Sequence, residues 1–117
     1  VTHTIDRGIS THVLKTSDGL PATGVVVRSQ RLQGDAWCDL TRATTDADGR
    51  VKSLLQNHAL AIGTYRLLFA TGDWFAIQKI ECFFPTVTIE FHVADATRHY
   101  HVPLLLSAFA YATYRGS

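Results

Sequence analysis

Six histidines stand in a chain of 117 residues: His3, His12, His58, His92, His99 and His101. His99 and His101 flank Tyr100. Side chains alternate along a strand, so both imidazoles take one face and Tyr100 the other. An imidazole titrates near ~6.5, so one ring of a pair can accept a proton while the other donates. That is equipment for general acid–base hydrolysis; a surface or interface pair without chemistry has the same spacing. His12 lies inside Ile9-Ser10-Thr11-His12-Val13-Leu14 and shares its face with Ser10 and Leu14. Arg50 follows the turn Asp46-Ala47-Asp48-Gly49. A guanidinium there can grip a planar, oxygen-rich ligand through its fork of donors, or simply be solvated. Tyr114 and Arg115 sit near the last residue, where chains ordinarily fray. The apolar run from Val102 to Tyr111 would order that tail if a second subunit covered it.

These groups need a scaffold, and the hydrophobic pattern supplies one. From Thr86 to Val93, Val87, Ile89, Phe91 and Val93 alternate with Thr88, Glu90 and His92. Period two with β-branched and aromatic residues predicts a half-buried strand, with His92 on the polar side. Further strands are expected over Ile9 to Leu14, Gly24 to Leu32, Trp37 to Thr44, Gly63 to Ala70, His99 to Ser107 and Phe109 to Thr113. Turn signals punctuate them at Asp18-Gly19-Leu20-Pro21, Gln33-Gly34-Asp35 and Asp46 to Gly49. Short strands with breaks about every 8–12 residues predict an all-β sandwich. The exception is Thr71 to Cys82, where Trp74 and Ile77 are three apart. One short helix is expected near residues 72–80, capped by Thr71 or Asp73.

Composition narrows the function classes. The net charge is +1, from 11 basic and 10 acidic residues, which is no footprint for nucleic acid or acidic lipid. Apolar residues make up 46% and charged residues 18%, and the low charge hints that another subunit covers part of the surface. Cys38 and Cys82 make no disulfide framework and read as two reduced, partly buried thiols. No metal-ligand spacing, nucleotide loop or nucleophile elbow is present. No apolar stretch is long enough to span a membrane. Without repeat, linker or low-complexity tract, residues 1–117 read as one domain.

Four blocks, in order along the chain, resemble the transthyretin-like family and its enzyme branch, the 5-hydroxyisourate hydrolases. The first is Ile9-Ser10-Thr11-His12-Val13-Leu14 with the Gly19-Leu20-Pro21-Ala22 turn. The second is Thr45-Asp46-Ala47-Asp48-Gly49-Arg50. The third runs from Phe84 to Phe91. The fourth, the most specific, runs from His99-Tyr100-His101-Val102-Pro103 to Tyr114-Arg115-Gly116-Ser117.

The resemblance implies a transthyretin-like (prealbumin-like) sandwich of two four-stranded sheets with one short helix. It implies a homotetramer, a dimer of dimers, whose sites line a channel between dimers. It also implies hydrolysis of 5-hydroxyisourate to 2-oxo-4-hydroxy-4-carboxy-5-ureidoimidazoline, a step of urate degradation in purine catabolism. No cofactor and no metal are expected. His12, Arg50, His101 and Ser117 correspond to the family's catalytic groups. His12, Arg50, Tyr114 and Arg115 correspond to its substrate-binding groups. His99 is expected as a neighbour of the site, and His3, His58 and His92 as bystanders. Two positions depart from the family pattern: Ala108 stands for a usual Pro and Ala112 for a usual Ser. Losing Pro should loosen the turn into the last strand. The rival expectation is a non-catalytic, transthyretin-like binder of hormone-type small molecules, or an inactive relative. The compartment stays open, with cytoplasm or peroxisome favoured over secretion.

Overall fold

The computed structural model describes residues 8–116. The expected bystander His3 and the expected site residue Ser117 lie outside them. Among the described residues nine strands form two stacked sheets, and one helix joins two strands of the second. The first sheet is built on β1 (Ile9–Lys15), β8 (Tyr100–Leu106) and β9 (Tyr111–Thr113). On the far side of β1 lie two short strands, β2 (Leu20–Pro21) and β5 (Arg50–Val51). The second sheet runs β4 (Ala36–Thr44), β3 (Val26–Gln33), β6 (Gly63–Phe69), β7 (Val87–Val93).

The two expected four-stranded sheets are therefore present, and β5 is an addition that sequence reading did not separate from its turn. Two residues are too short for any periodicity to mark. β2 is likewise unexpected, since the sequence places Leu20-Pro21 in a turn; the other seven strands lie within a residue or two of their expected bounds.

Alternation decides which side chains meet between the sheets. Ile9 and Val13 of β1, Leu104 and Leu106 of β8, and Leu67 and Phe69 of β6 are all essentially inaccessible. Truncating a side chain such as Phe69 to alanine costs about 3–5 kcal/mol in such a core. The alternate residues of β1 and β8, among them Ser10, His12 and His101, face the other way. Both cysteines are free and half-buried.

The helix α1 covers Thr71–Ile77, shorter than expected at its C-terminal end. Neither expected cap acts as one. Ala70 holds the N-cap position, and the Thr71 hydroxyl instead donates to the Phe84 carbonyl at 2.7 Å. Tertiary packing outbids the local cap, because Thr71 is fully buried. The helix ends at Ile77 with Gln78 as its cap, and Lys79 beyond it takes a φ of 59° that lets Ile80 N–H reach the Phe75 carbonyl at 3.0 Å.

The turn after β8 is closed despite Ala108. Ser107 donates to the Ala110 carbonyl through its backbone N–H at 2.9 Å and its hydroxyl at 3.0 Å.

Candidate active site

The first sheet assembles the site through two strand pairings. β1 runs parallel to β8, with Ser10 opposite His101 and His12 opposite Pro103. On its other edge β1 is antiparallel to β5, with His12 opposite Arg50. His12, Arg50 and His101 thus reach one outer face from three strands.

The turn before Arg50 is tightly specified. Gly49 adopts φ +74°, and a Cβ there would meet the Val13 carbonyl oxygen at 2.5 Å. Asp46 accepts the backbone N–H groups of Asp48 and Arg50, both at 2.9 Å. The bond from Arg50 is the main reason its carboxyl is held below the usual range. The arginine's backbone is fixed while its side chain stays exposed and, among the described residues, makes no ion pair.

An open cleft of about 340 Å³ lies on this face, lined by Ser10, Arg50, Lys52, His99 and His101 with Thr11 and Val51. Half-buried His12 stands beside Arg50 at its margin rather than in its lining. His101 is pushed below its ordinary pKa, first by burial and then by the nearby charges of Arg50, His99 and His12. A ring so placed is neutral near neutral pH and can accept a proton. Arg50 and Lys52 make the cleft wall positive, suited to an electron-rich, oxygen-bearing ring. Among the described residues no cluster of His, Cys, Asp or Glu could hold a metal ion. No helix among them is long and apolar enough to cross a membrane.

The tail goes elsewhere. Arg115 lies 4.7 Å over the Tyr100 ring, and Tyr114 lines a second cavity of about 240 Å³ against Ile89 to His92 of β7. Neither lines the histidine cleft within one chain, but His101 lines this second cavity as well as the first. Gly116 does approach His101: its N–H donates to the His101 carbonyl at 2.8 Å, and a Cβ on it would meet His101 Cδ2 at 2.5 Å. Up to Gly116 the tail is bonded to β8 of its own chain. His92 and His58 are exposed and away from the cleft.

Sequence reasoning passed over Ser10 and Lys52. Ser10 Oγ is within 2.7 Å of His99 Nε2 and 2.8 Å of His101 Nδ1. The available signals were its place two residues before His12 and, for Lys52, two after Arg50.

A family model described as HIUase/Transthyretin family matches residues 9–116. The chain is 45% identical over 109 residues to a 5-hydroxyisourate hydrolase of Salmonella typhimurium, covering 93% of this chain and 80% of that one. The solved structure of Klebsiella pneumoniae 5-hydroxyisourate hydrolase superposes with a TM-score of 0.82 at 38% identity, covering 93% of this chain and 98% of that one. Sea bream transthyretin in complex with thyroxine superposes with a TM-score of 0.86 at 27% identity, covering 92% and 93%. Backbone likeness is about equal for the two structures, whereas sequence identity is higher to the hydrolase. With the match running through both histidine blocks and the Asp-Gly-Arg turn, this chain belongs to the HIUase/Transthyretin family.

Proposed function

We propose that the protein is a 5-hydroxyisourate hydrolase, opening a ring C–N bond by general-base activation of water. The observation that carries this reading is the convergence of His12, Arg50 and His101 on one outer face, with His101 and Arg50 lining a common cleft. The 38–45% identity to proteins bearing that name supports it.

In the reaction, water oxygen bonds to a ring carbonyl carbon while an imidazole takes its proton. His101 is suited to this role because its depressed pKa leaves a lone pair available. Negative charge grows on the former carbonyl oxygen, and the Arg50 guanidinium stabilises it. Collapse breaks the C–N bond, and the leaving nitrogen takes a proton from an imidazolium. His12, beside Arg50, is placed to bind the ring edge or to serve this second transfer. General-base help contributes about 10²–10⁴-fold. Ser117 is proposed to orient an imidazole, supported by the contact of its neighbour Gly116 with His101.

We infer a homotetramer as well. Strands β7 and β9 end their sheets on the same side of the sandwich, flanking the second cavity. Phe109, Tyr111 and Tyr114 are exposed near that edge. Edge strands with exposed aromatics favour pairing with another copy. Tyr114 and Arg115 would then bind substrate from a neighbouring subunit's cleft.

Hydrolysis of freshly generated 5-hydroxyisourate, followed by absorbance, tests the function. His12→Ala and His101→Ala are expected to lose most turnover. Near-wild-type rates in both would remove the site assignment, and no turnover by the wild-type protein would remove the function. Thyroxine binding without hydrolysis is the outcome that favours a carrier. Sedimentation at micromolar concentration tests the tetramer, which a monomer would overturn.

A further inference from the structure

One hydroxyl on β1 serves two imidazoles. Ser10 Oγ lies 2.7 Å from His99 Nε2 and 2.8 Å from His101 Nδ1. The parallel pairing of β1 with β8 puts Ser10 directly opposite His101, so the contact follows from strand register rather than from a flexible loop. Ser10 is only 9% exposed, so little water competes for its hydroxyl.

A hydroxyl carries one hydrogen, and a neutral imidazole has one N–H and one lone pair. Ser10 can donate to only one of the two rings. If it donates to His101 Nδ1, the hydrogen of His101 must sit on Nε2, and no lone pair remains for a base. If it donates to His99 Nε2, His101 must present Nδ1–H to Ser10 Oγ, and its lone pair falls on Nε2. Only the second arrangement survives proton uptake unchanged. The imidazolium formed at Nε2 still donates Nδ1–H to the same oxygen. The partner of one ring nitrogen thus sets the role of the other.

The opposite edge of the ring is also occupied. A Cβ on Gly116 would meet His101 Cδ2 at 2.5 Å, and Gly116 N–H is bonded to the His101 carbonyl. Ser10 on the Nδ1 edge and the tail on the Cδ2 edge resist a flip that would exchange them.

We propose that Ser10, its hydroxyl directed by His99, is a positioning residue that holds His101 as the Nδ1–H tautomer and leaves Nε2 as the basic nitrogen. The inference rests on the reading of His101 as the proton acceptor. It adds Ser10 and His99 to that reading, as groups that act through His101 rather than on the substrate.

The test is the ¹⁵N spectrum of the histidine rings, recorded on the free protein above the His101 pKa, together with steady-state kinetics. In wild-type protein His101 is expected to show a protonated Nδ1 and an unprotonated Nε2. Ser10→Ala is expected to move it toward the Nε2–H form and to lower kcat by about 10–100-fold, as loss of an orienting partner typically does, with KM little changed. Ser10→Thr keeps the hydroxyl and is expected to restore both readouts. Should Ser10→Ala fail to fold, His99→Ala serves instead: freed from His99, the hydroxyl turns to His101 and produces the same tautomer change. An Nε2–H form of His101 in wild-type protein, or an unchanged tautomer in the variants, overturns the proposal. The spectrum needs no substrate, so an inactive wild-type protein would count against the hydrolase reading while leaving the tautomer result to stand or fall separately.

Discussion

On the outer face of the second sheet, Arg66 Nε–H donates to Gln30 at 2.7 Å and Gln30 donates to Asp39 at 2.7 Å. The Arg66 guanidinium also lies 4.1 Å over the Trp37 ring. On the outer face of the first sheet, Arg50 has no ion-pair partner among the described residues, and two imidazoles share one hydroxyl. Both faces carry arginine, aromatic or imidazole rings, and small polar residues on alternating strand positions. They differ in how their donors are spent. On the second sheet the Arg66 Nε–H, the Gln30 amide and the Asp39 carboxylate are bonded to one another. The Arg50 face keeps a guanidinium and an imidazole turned toward a cleft, with only their backbones and orienting bonds fixed.

Replacing the two arginines gives the largest contrast. Arg50→Ala should lower kcat/KM for 5-hydroxyisourate by about 10²–10³-fold, the usual effect of removing one donor to a developing oxyanion. Its folding stability should hardly change, because the side chain is exposed and makes no ion pair among the described residues. Paired measurements of turnover and denaturation midpoint would check this. A variant with full activity, or one that loses stability instead, would erase the distinction between the faces.

Gly49→Ala comes next, because it attacks the scaffold behind Arg50. The position has φ +74°, and the new Cβ would meet the Val13 carbonyl oxygen at 2.5 Å and the Ala22 nitrogen at 3.2 Å. Strain of this kind costs about 1–3 kcal/mol. Stability and activity should fall together, since the displaced turn carries Arg50. Loss of stability with unchanged kcat/KM would show that Arg50 needs less precise support than the Asp46 bonds suggest.

How much of this could be read from the sequence depends on the range of the interaction. Alternation around Tyr100 and around His12 was local, and it gave the correct faces. The turn before Arg50 was marked by its own Asp and Gly. What local pattern could not give was register. Ser10 and His101 are 91 positions apart, and nothing short of the β1–β8 pairing places one against the other. A serine in an alternating strand looks like filler until its cross-strand partner is known. Thr71 failed as a predicted cap for a related reason, since its hydroxyl was claimed by Phe84 from a different segment. The family resemblance bridged some of these gaps by carrying whole blocks at once. It did so for His12, Arg50 and His101, and not for Ser10.

The pH response should sharpen the contrast in a subtler way. Burial, then Arg50, His99 and His12, push His101 below the ordinary imidazole value of 6.5. As pH falls from neutral, the unfolded chain takes up this proton before the folded one does. The contribution of His101 to stability is therefore intact above about 6.5 and is lost as pH falls through the lower folded value. Activity that needs the neutral ring should likewise persist below 6.5, with the acid limb of kcat/KM at the depressed value. In Arg50→Ala, NMR titration should find the His101 pKa raised. It should remain below the ordinary imidazole value, because burial is the larger cause. An unchanged titration would mean that Arg50 and His101 do not share one electrostatic environment.

The smallest effect is expected at Arg66, and it is the control that gives the others meaning. Arg66→Ala removes one hydrogen bond to Gln30 and a cation–π contact with Trp37. The contact is worth about 0.5–1 kcal/mol at a site that is not fully desolvated. Gln30 is 6% exposed and would lose a donor to its carbonyl oxygen, so part of the cost comes from that stranded acceptor. The denaturation midpoint should therefore drop slightly, while turnover of 5-hydroxyisourate and the His101 titration stay at wild-type values. A fall in turnover would mean that the two sheets are coupled through the core. The chemistry could then no longer be assigned to the Arg50–His101 face alone.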